Sequence, residues 1–187
     1  KLGDLPFYRK VWIMKGFDSK FKNFPDYVIG ITKEIWEGRN IASLYDYYDK
    51  DIIVRSPSSV VVGNKKVIEA TMATLAEFPD RTLYGEDVIW SGSPNLGMLS
   101  SHRIQSTATH NNPGIYGRPS GRKLKYRIIA DCHAKNNKID DEWLIRDQGA
   151  IVKQLDWDPK DFARDLISRE GGPEKCIKPY RHDNDVK

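Results

Sequence analysis

The 187-residue chain holds only two cysteines, Cys132 and Cys176, too few for a disulfide framework. The expected compartment is therefore the reducing cytoplasm, with Cys132 a small core residue inside a strand pattern. No apolar run approaches the roughly 18 residues that a membrane span requires. The first residues lack the apolar core of a signal peptide, so no membrane partner is expected. The four histidines and two cysteines show no metal-ligand spacing. A Gly-rich phosphate loop and a Gly-x-Ser-x-Gly elbow are both missing. These absences argue against zinc, nucleotide-phosphate and serine-hydrolase chemistry, and no metal is expected. Net charge is only +4, and bases are interspersed with acids. The small basic clusters, Lys65-Lys66 and Arg118 to Arg127, are not interleaved with stacking aromatics as a nucleic-acid groove requires, so no nucleic-acid partner is expected.

What is present suits one domain with decorated ends, long enough to bury a core without covalent staples. Residues 1–24 form an expected N-terminal arm. Its Phe7, Tyr8, Trp12, Phe17 and Phe21 are too many aromatics for a free tail. Residues 25–168 form the domain, and residues 169–187 a polar C-terminal tail. The first helix starts near Pro25-Asp26, with Asp26 as a cap or Pro25 in the first turn. Tyr27, Val28, Ile31 and Ile35 follow helical spacing. A short helix over Ile41–Tyr48 follows. Ile52–Arg55 and Val60–Val62 then read as a small edge hairpin. Asn64 caps a third helix, Lys65–Phe78, which Pro79 breaks.

From Arg81 onward the pattern changes to strands: Leu83–Trp90, Gly97–His110, Arg122–Ala134 and Lys138–Asp147, the last two joined at Asn136-Asn137. Asp158-Pro159 opens a last helix over Lys160–Ser168. Early helices followed by consecutive strands make an α+β domain. The expected form is a cone-shaped, bent antiparallel sheet with three N-terminal helices closing a pocket, because the sheet must cover its apolar face and the early helices are the available cover. Partial cover leaves a hollow where a small-molecule substrate would sit.

The pleat orders the candidate residues. Met98, Ser100, His102, Ile104, Ser106, Ala108 and His110 share one face of their strand. If that face looks inward, His102 and His110 reach the hollow. In the next strand Leu124, Tyr126, Ile128, Ala130 and Cys132 are the apolar set, and strict alternation puts Asp131 on the other side. A β-bulge would reverse that phase, or the polar set could line the hollow instead. Glu142, Leu144 and Arg146 share one face of the last strand, and Trp143, Ile145 and Asp147 the other. Only one of these sets can face inward.

Several segments carry a resemblance. These are Tyr45 to Ile53 with Gly63, then Ser100-Ser101-His102-Arg103, Gly114-Ile115-Tyr116-Gly117 and Ser120-Gly121-Arg122. To them add Ile129-Ala130-Asp131-Cys132, and Lys138-Ile139-Asp140-Asp141-Glu142-Trp143 closing on Arg146-Asp147. From about Asp26 to Leu166 the chain resembles the SnoaL-like polyketide cyclases of the nuclear transport factor 2-like superfamily. The resemblance implies a cone closed by three helices, a homodimer packed through the sheet, and acid/base catalysis without metal or organic cofactor. It also implies that Asp131 is the strand Asp used as general base. The chain departs from the family pattern at Arg55-Ser56-Pro57, where a His-x-Pro-like segment is common, and an arginine cannot serve as a base near neutral pH.

The expectation is thus a cofactor-independent enzyme acting on a small, largely apolar carbonyl or polycyclic substrate, of cyclase, isomerase, dehydratase or hydrolase type. Asp131 and His102 are the expected catalytic residues. Tyr48, Trp90, His110, Tyr116, Trp143 and Arg146 are the expected substrate-binding residues. The rival is a non-catalytic ligand-binding or dimerisation module of the same fold. The two separate on whether an acid and an imidazole meet in one dry pocket.

Overall fold

The computed structural model describes residues 14–175. Phe7, Tyr8 and Trp12 of the expected arm, and the tail beyond residue 175, lie outside the described residues. Phe17 and Phe21 are buried edge-on against Tyr27, with ring centroids 5.0 and 5.3 Å away. Helix α1 (Phe24–Trp36) begins at Asn23, whose side chain accepts the Asp26 N–H at 2.9 Å. Asp26 reaches back to accept the Lys22 N–H at 2.8 Å. The cap is therefore Asn23 and not Asp26, while Pro25 occupies the first turn, a reciprocal capping arrangement. Tyr27, Val28, Ile31 and Ile35 are all buried, the stripe that their spacing predicts.

A single 3-10 turn and the short α2 (Leu44–Tyr47) run straight into β1 (Tyr48–Ser56), which forms a hairpin with β2 (Ser59–Val62). Helix α3 (Asn64–Glu77) follows. Gly63, at φ 88°, takes its cap position, which a residue with a Cβ would fill only under strain. The Asn64 amide instead donates to the Tyr48 carbonyl at 3.3 Å, tying the start of α3 to the start of β1. Strands β3 (Thr82–Ser93), β4 (Gly97–Thr109), β5 (Lys123–Lys135) and β6 (Lys138–Arg146) come next. Asn136 and Asn137 turn the chain between β5 and β6 at φ 50° and 63°, the left-handed pair that a tight hairpin needs. Asp147 caps α4 (Gln148–Gln154), and Asp158 caps α5 (Pro159–Arg169).

The six strands form one sheet in the order β2-β1-β6-β5-β4-β3. The expected all-antiparallel sheet is corrected at one place: β1 runs parallel to β6, which makes the sheet mixed. Strand β2, helix α3 and strands β3 to β5 intervene between β1 and β6, a crossover long enough to bring the chain back in the same direction. Register shifts between Gly85 and Asp87 in β3, and between His133 and Ala134 beside the β5–β6 turn, mark irregular pairing, where bulged strands bend. One apolar cluster joins the Phe17–Phe24 segment, α1, α2, β1 and the adjoining ends of β4 to β6. A second gathers Tyr116, Tyr126 and Ile128 beneath α4 and α5. Between the helices and the inner face of the sheet lies a cavity. Among the described residues, no helix is long and apolar enough to cross a membrane.

Candidate functional site

The cavity has a volume of about 140 Å³. Its floor is written in the register of three strands. Ser100 lies opposite Cys132, and Cys132 opposite Glu142; His102, Ala130 and Leu144 make the next row, and Ile104, Ile128 and Arg146 the third. All nine line the cavity. Its roof is the buried stripe of α1, from Tyr27 to Trp36, with Val67, Ala70, Thr71 and Thr74 of α3. Most of the wall is therefore hydrocarbon, and the polar groups fall at separate places within it.

At one end is Glu142, 6% exposed. Its carboxyl accepts the Tyr48 hydroxyl at 3.0 Å. Burial pushes its pKa up from 4.5 to about 7, while the Tyr48 hydrogen bond pulls it down and nearby Asp141 adds a smaller upward push. The desolvation of the anion thus prevails over the single donor. The same burial, reinforced by Glu142, holds the Tyr48 phenol and the Cys132 thiol well above their usual ranges, so both stay protonated. The Tyr27 hydroxyl is buried here without a hydrogen-bond partner, and the buried Ser100 hydroxyl faces the Cys132 thiol.

Across the sheet is His102, 2% exposed, with Nε2 unpartnered. Burial lowers its pKa to about 4, so the ring is neutral at neutral pH. Gly85 makes room for it: a Cβ there would stand 2.7 Å from His102 Nε2. The other end of the cavity holds Arg81 and Arg146. Arg81, 2% exposed, donates from Nε to Ser106 Oγ at 3.3 Å and lies 4.4 Å over the Trp36 ring.

The sequence-expected residues divide three ways. His102, Tyr48 and Arg146 line the cavity. Asp131, Trp90 and Trp143 do not. Asp131 and Trp143 line a shallow groove on the outer face of the sheet, together with Ile89, Leu99 and His133, whereas Trp90 is paired with Ser100 at the groove's edge and turns its ring to Phe24, 6.3 Å away on the helix side. The reason is the pleat: no bulge intervenes before His133, so Asp131 keeps the phase opposite to Ala130 and Cys132 and is exposed. Asp131 and His102 therefore do not converge, which for this pair is the arrangement expected of the binding module. Trp143 is half exposed, with the Arg55 guanidinium 5.0 Å over its ring. Arg55 also pairs with Asp141, so the departure from the His-x-Pro pattern falls on a side chain engaged with Trp143, away from the cavity lining. His110 and Tyr116 are buried but belong to a structural clamp. His110 Nε2 lies 3.4 Å from Glu77, Glu77 accepts the Ile115 and Tyr116 N–H groups at 3.1 and 3.0 Å, and Tyr116 stacks on Phe162.

Sequence reasoning missed Glu142 and Arg81 as site residues. The signal for Glu142 was its shared face with Leu144 and Arg146. Once Cys132 and Ala130 face inward, antiparallel register obliges Glu142 and Leu144 to do the same.

The sequence pattern of the SnoaL-like polyketide cyclases matches residues 26–155. The chain belongs to this family. The match spans every strand and the cavity between them, and solved structures agree on the fold. A candidate SnoaL-like polyketide cyclase from Jannaschia is 13% identical with a TM-score of 0.63, over 72% of this chain and 92% of that one. IdmH, a candidate polyketide cyclase from Streptomyces antibioticus, is 18% identical with a TM-score of 0.60, over 71% and 97%. A SnoaL-like polyketide cyclase from Agrobacterium tumefaciens is 16% identical with a TM-score of 0.56, over 70% and 96%. No curated protein matches the chain in sequence. Identities this low carry the family's architecture and leave the chemistry to the cavity itself.

Proposed function

We propose that this SnoaL-like protein is a cofactor-independent acid/base enzyme that moves a proton on carbon beside a carbonyl of a small, largely apolar substrate. The general-base role that the resemblance implied for Asp131 passes to Glu142. One observation carries this reading: a carboxyl is buried in an apolar cavity with the Tyr48 hydroxyl as its donor, and that burial raises its pKa toward neutrality, to about 7. Its basicity is then matched to the pH at which it acts.

In the proposed step the Glu142 carboxylate takes the proton from carbon, and the C–H electron pair moves toward the carbonyl oxygen to give an enolate. The cavity offers a hydrogen-bond donor for that oxygen in the unpartnered Tyr27 hydroxyl, with the Ser100 hydroxyl beside it on the cavity floor. Donors held ready in a dry site stabilise developing charge without reorganising. The enolate then closes a ring, is reprotonated elsewhere, or expels a β-substituent, which covers cyclase, isomerase and dehydratase outcomes. His102, neutral because burial lowers its pKa to about 4, serves as a hydrogen-bonding partner rather than an imidazolium acid. A homodimer in the cytoplasm remains part of the proposal, and the outer face with Ile89, Leu99 and Trp143 exposed offers a surface for it.

The test is proton exchange. Wild-type protein in D2O is incubated with a panel of small aryl ketones and keto acids, and loss of the α-proton signal is followed by NMR. Exchange catalysed by wild type and reduced at least about 100-fold in Glu142→Gln, with the fold intact, is the expected result. Equal exchange by both proteins removes Glu142 as the base. Catalysed exchange of nothing in the panel favours the non-catalytic binding module.

A further inference from the structure

We infer that the Arg81–Arg146 end of the cavity binds the carboxylate of the substrate, which makes that substrate a small organic acid with an apolar body. This deepens the proposed function by naming a substrate class for the same cavity, and it rests on that reading only in calling the ligand a substrate.

The argument starts from unpaired charge. Arg81 stands at the entry to β3 and is almost completely buried. Its Nε reaches Ser106, its guanidinium lies over Trp36, and Tyr126 is a further hydrogen-bond partner. Its NH1 has no partner, and neither does the buried Nε of Arg146. Both side chains line the cavity, and they are close enough for Arg146 to disfavour the charge on Arg81. Among the described residues, no carboxylate pairs with either one; the ion pairs of the molecule lie elsewhere. Glu142 is four residues along β6 from Arg146, roughly 13 Å by strand rise, and its carboxyl is held by Tyr48.

Burying a lone charge is costly, and leaving a buried hydrogen bond unmade adds to that cost. Even with its pKa brought down to about 10, Arg81 stays charged at neutral pH. Two guanidinium groups with free N–H bonds in one dry hollow therefore attract an anion strongly. The planar fork suits a two-oxygen acceptor, so a carboxylate fits better than a halide or a hydroxyl. Beyond the arginines the walls are Trp36, Leu83, Ile104 and Ile128, which calls for an apolar body next to the acid group. The volume of about 140 Å³ is close to that of a cavity known to hold benzene, roughly 150 Å³. A single ring or a branched chain of that size fits.

The probe is benzoate, compared with its neutral relative benzamide, by calorimetric titration of the full-length protein at pH 7.5 and constant ionic strength. Benzoate binding at least about tenfold tighter than benzamide is the expected result. Arg146→Met and Arg81→Met should each abolish that preference. Equal affinity for the two probes, binding of neither, or a preference unchanged in Arg146→Met overturns the inference. Should Arg81→Met fail to fold, the wild-type comparison and Arg146→Met decide. Glu142→Gln separates this inference from the proposed chemistry: it should retain the benzoate preference while losing proton exchange. Exchange unaffected by Glu142→Gln would sink the base and leave the carboxylate site standing.

Discussion

Glu142 and Asp131 sit on neighbouring strands one position out of register, and they face opposite sides of the sheet. Asp131 is paired with Trp143 and exposed, whereas Glu142 is paired with Cys132 and buried. One step along a pleated strand therefore separates an exposed carboxylate from one that burial in an apolar cavity makes harder to ionise.

That difference has a pH signature. Glu142 has a folded pKa of about 7 against an ordinary 4.5, so between these values the native state holds a proton that the unfolded chain has released. Its favourable contribution is complete below 4.5 and is lost as pH rises to 7. His102 runs the other way. Its folded pKa of about 4 against 6.5 means that stability is complete above 6.5 and lost as pH falls toward 4. Each span corresponds to about 3 kcal/mol, so the two slopes nearly cancel between pH 4.5 and 6.5. Glu142→Gln should unmask stability that rises with pH there, and His102→Gln stability that falls. Urea unfolding across a pH series measures both, and parallel curves for the two variants would refute the assignment.

Tyr48 restrains the Glu142 pKa by donating to its carboxyl. Tyr48→Phe should therefore move the midpoint of the pH–exchange profile above its wild-type position. At pH 7 the loss should be at most about tenfold, recovered at higher pH, with a stability cost of about 1 kcal/mol. A midpoint that stays in place would detach Tyr48 from the base.

Asp131→Asn should leave proton exchange within about twofold of wild type and stability within about 0.5 kcal/mol, the usual range for a surface change. A large loss of exchange would return the base to the outer face.

The Glu77–His110 clamp predicts a defect of a different kind. Glu77→Ala leaves the Ile115 and Tyr116 N–H groups without their acceptor and leaves His110 buried without the carboxylate 3.4 Å away. A cost of about 3–5 kcal/mol follows, and hydrogen exchange should quicken at Ile115 and Tyr116 first. Unchanged protection at those two amides would show that the loop is held by something else.

Much of this was legible in the chain. The Met98-to-His110 alternation is the burial pattern of β4 residue for residue, because side-chain direction along one strand is a local property with a period of two. The apolar set of β5 faces inward for the same reason. Asn136-Asn137 and Asp158-Pro159 act where they stand, since turn and cap chemistry involves only near neighbours. Of the two openings for the first helix, Pro25 in its first turn stands and the Asp26 cap does not, because Asn23 and Asp26 both offer an acceptor and only the backbone geometry chooses between them.

The amino-acid order by itself determined the elements, the alternation on each strand, and hence that Asp131 and Cys132 point to opposite sides. Only the tertiary structure decided that β1 joins β6 in parallel, that the Glu142 face is the inner one, and that Tyr48 meets Glu142 across 94 residues of chain. Those outcomes depend on registry between distant strands, which no local pattern encodes. The shifted acidity of Glu142 depends in turn on the water that such packing removes.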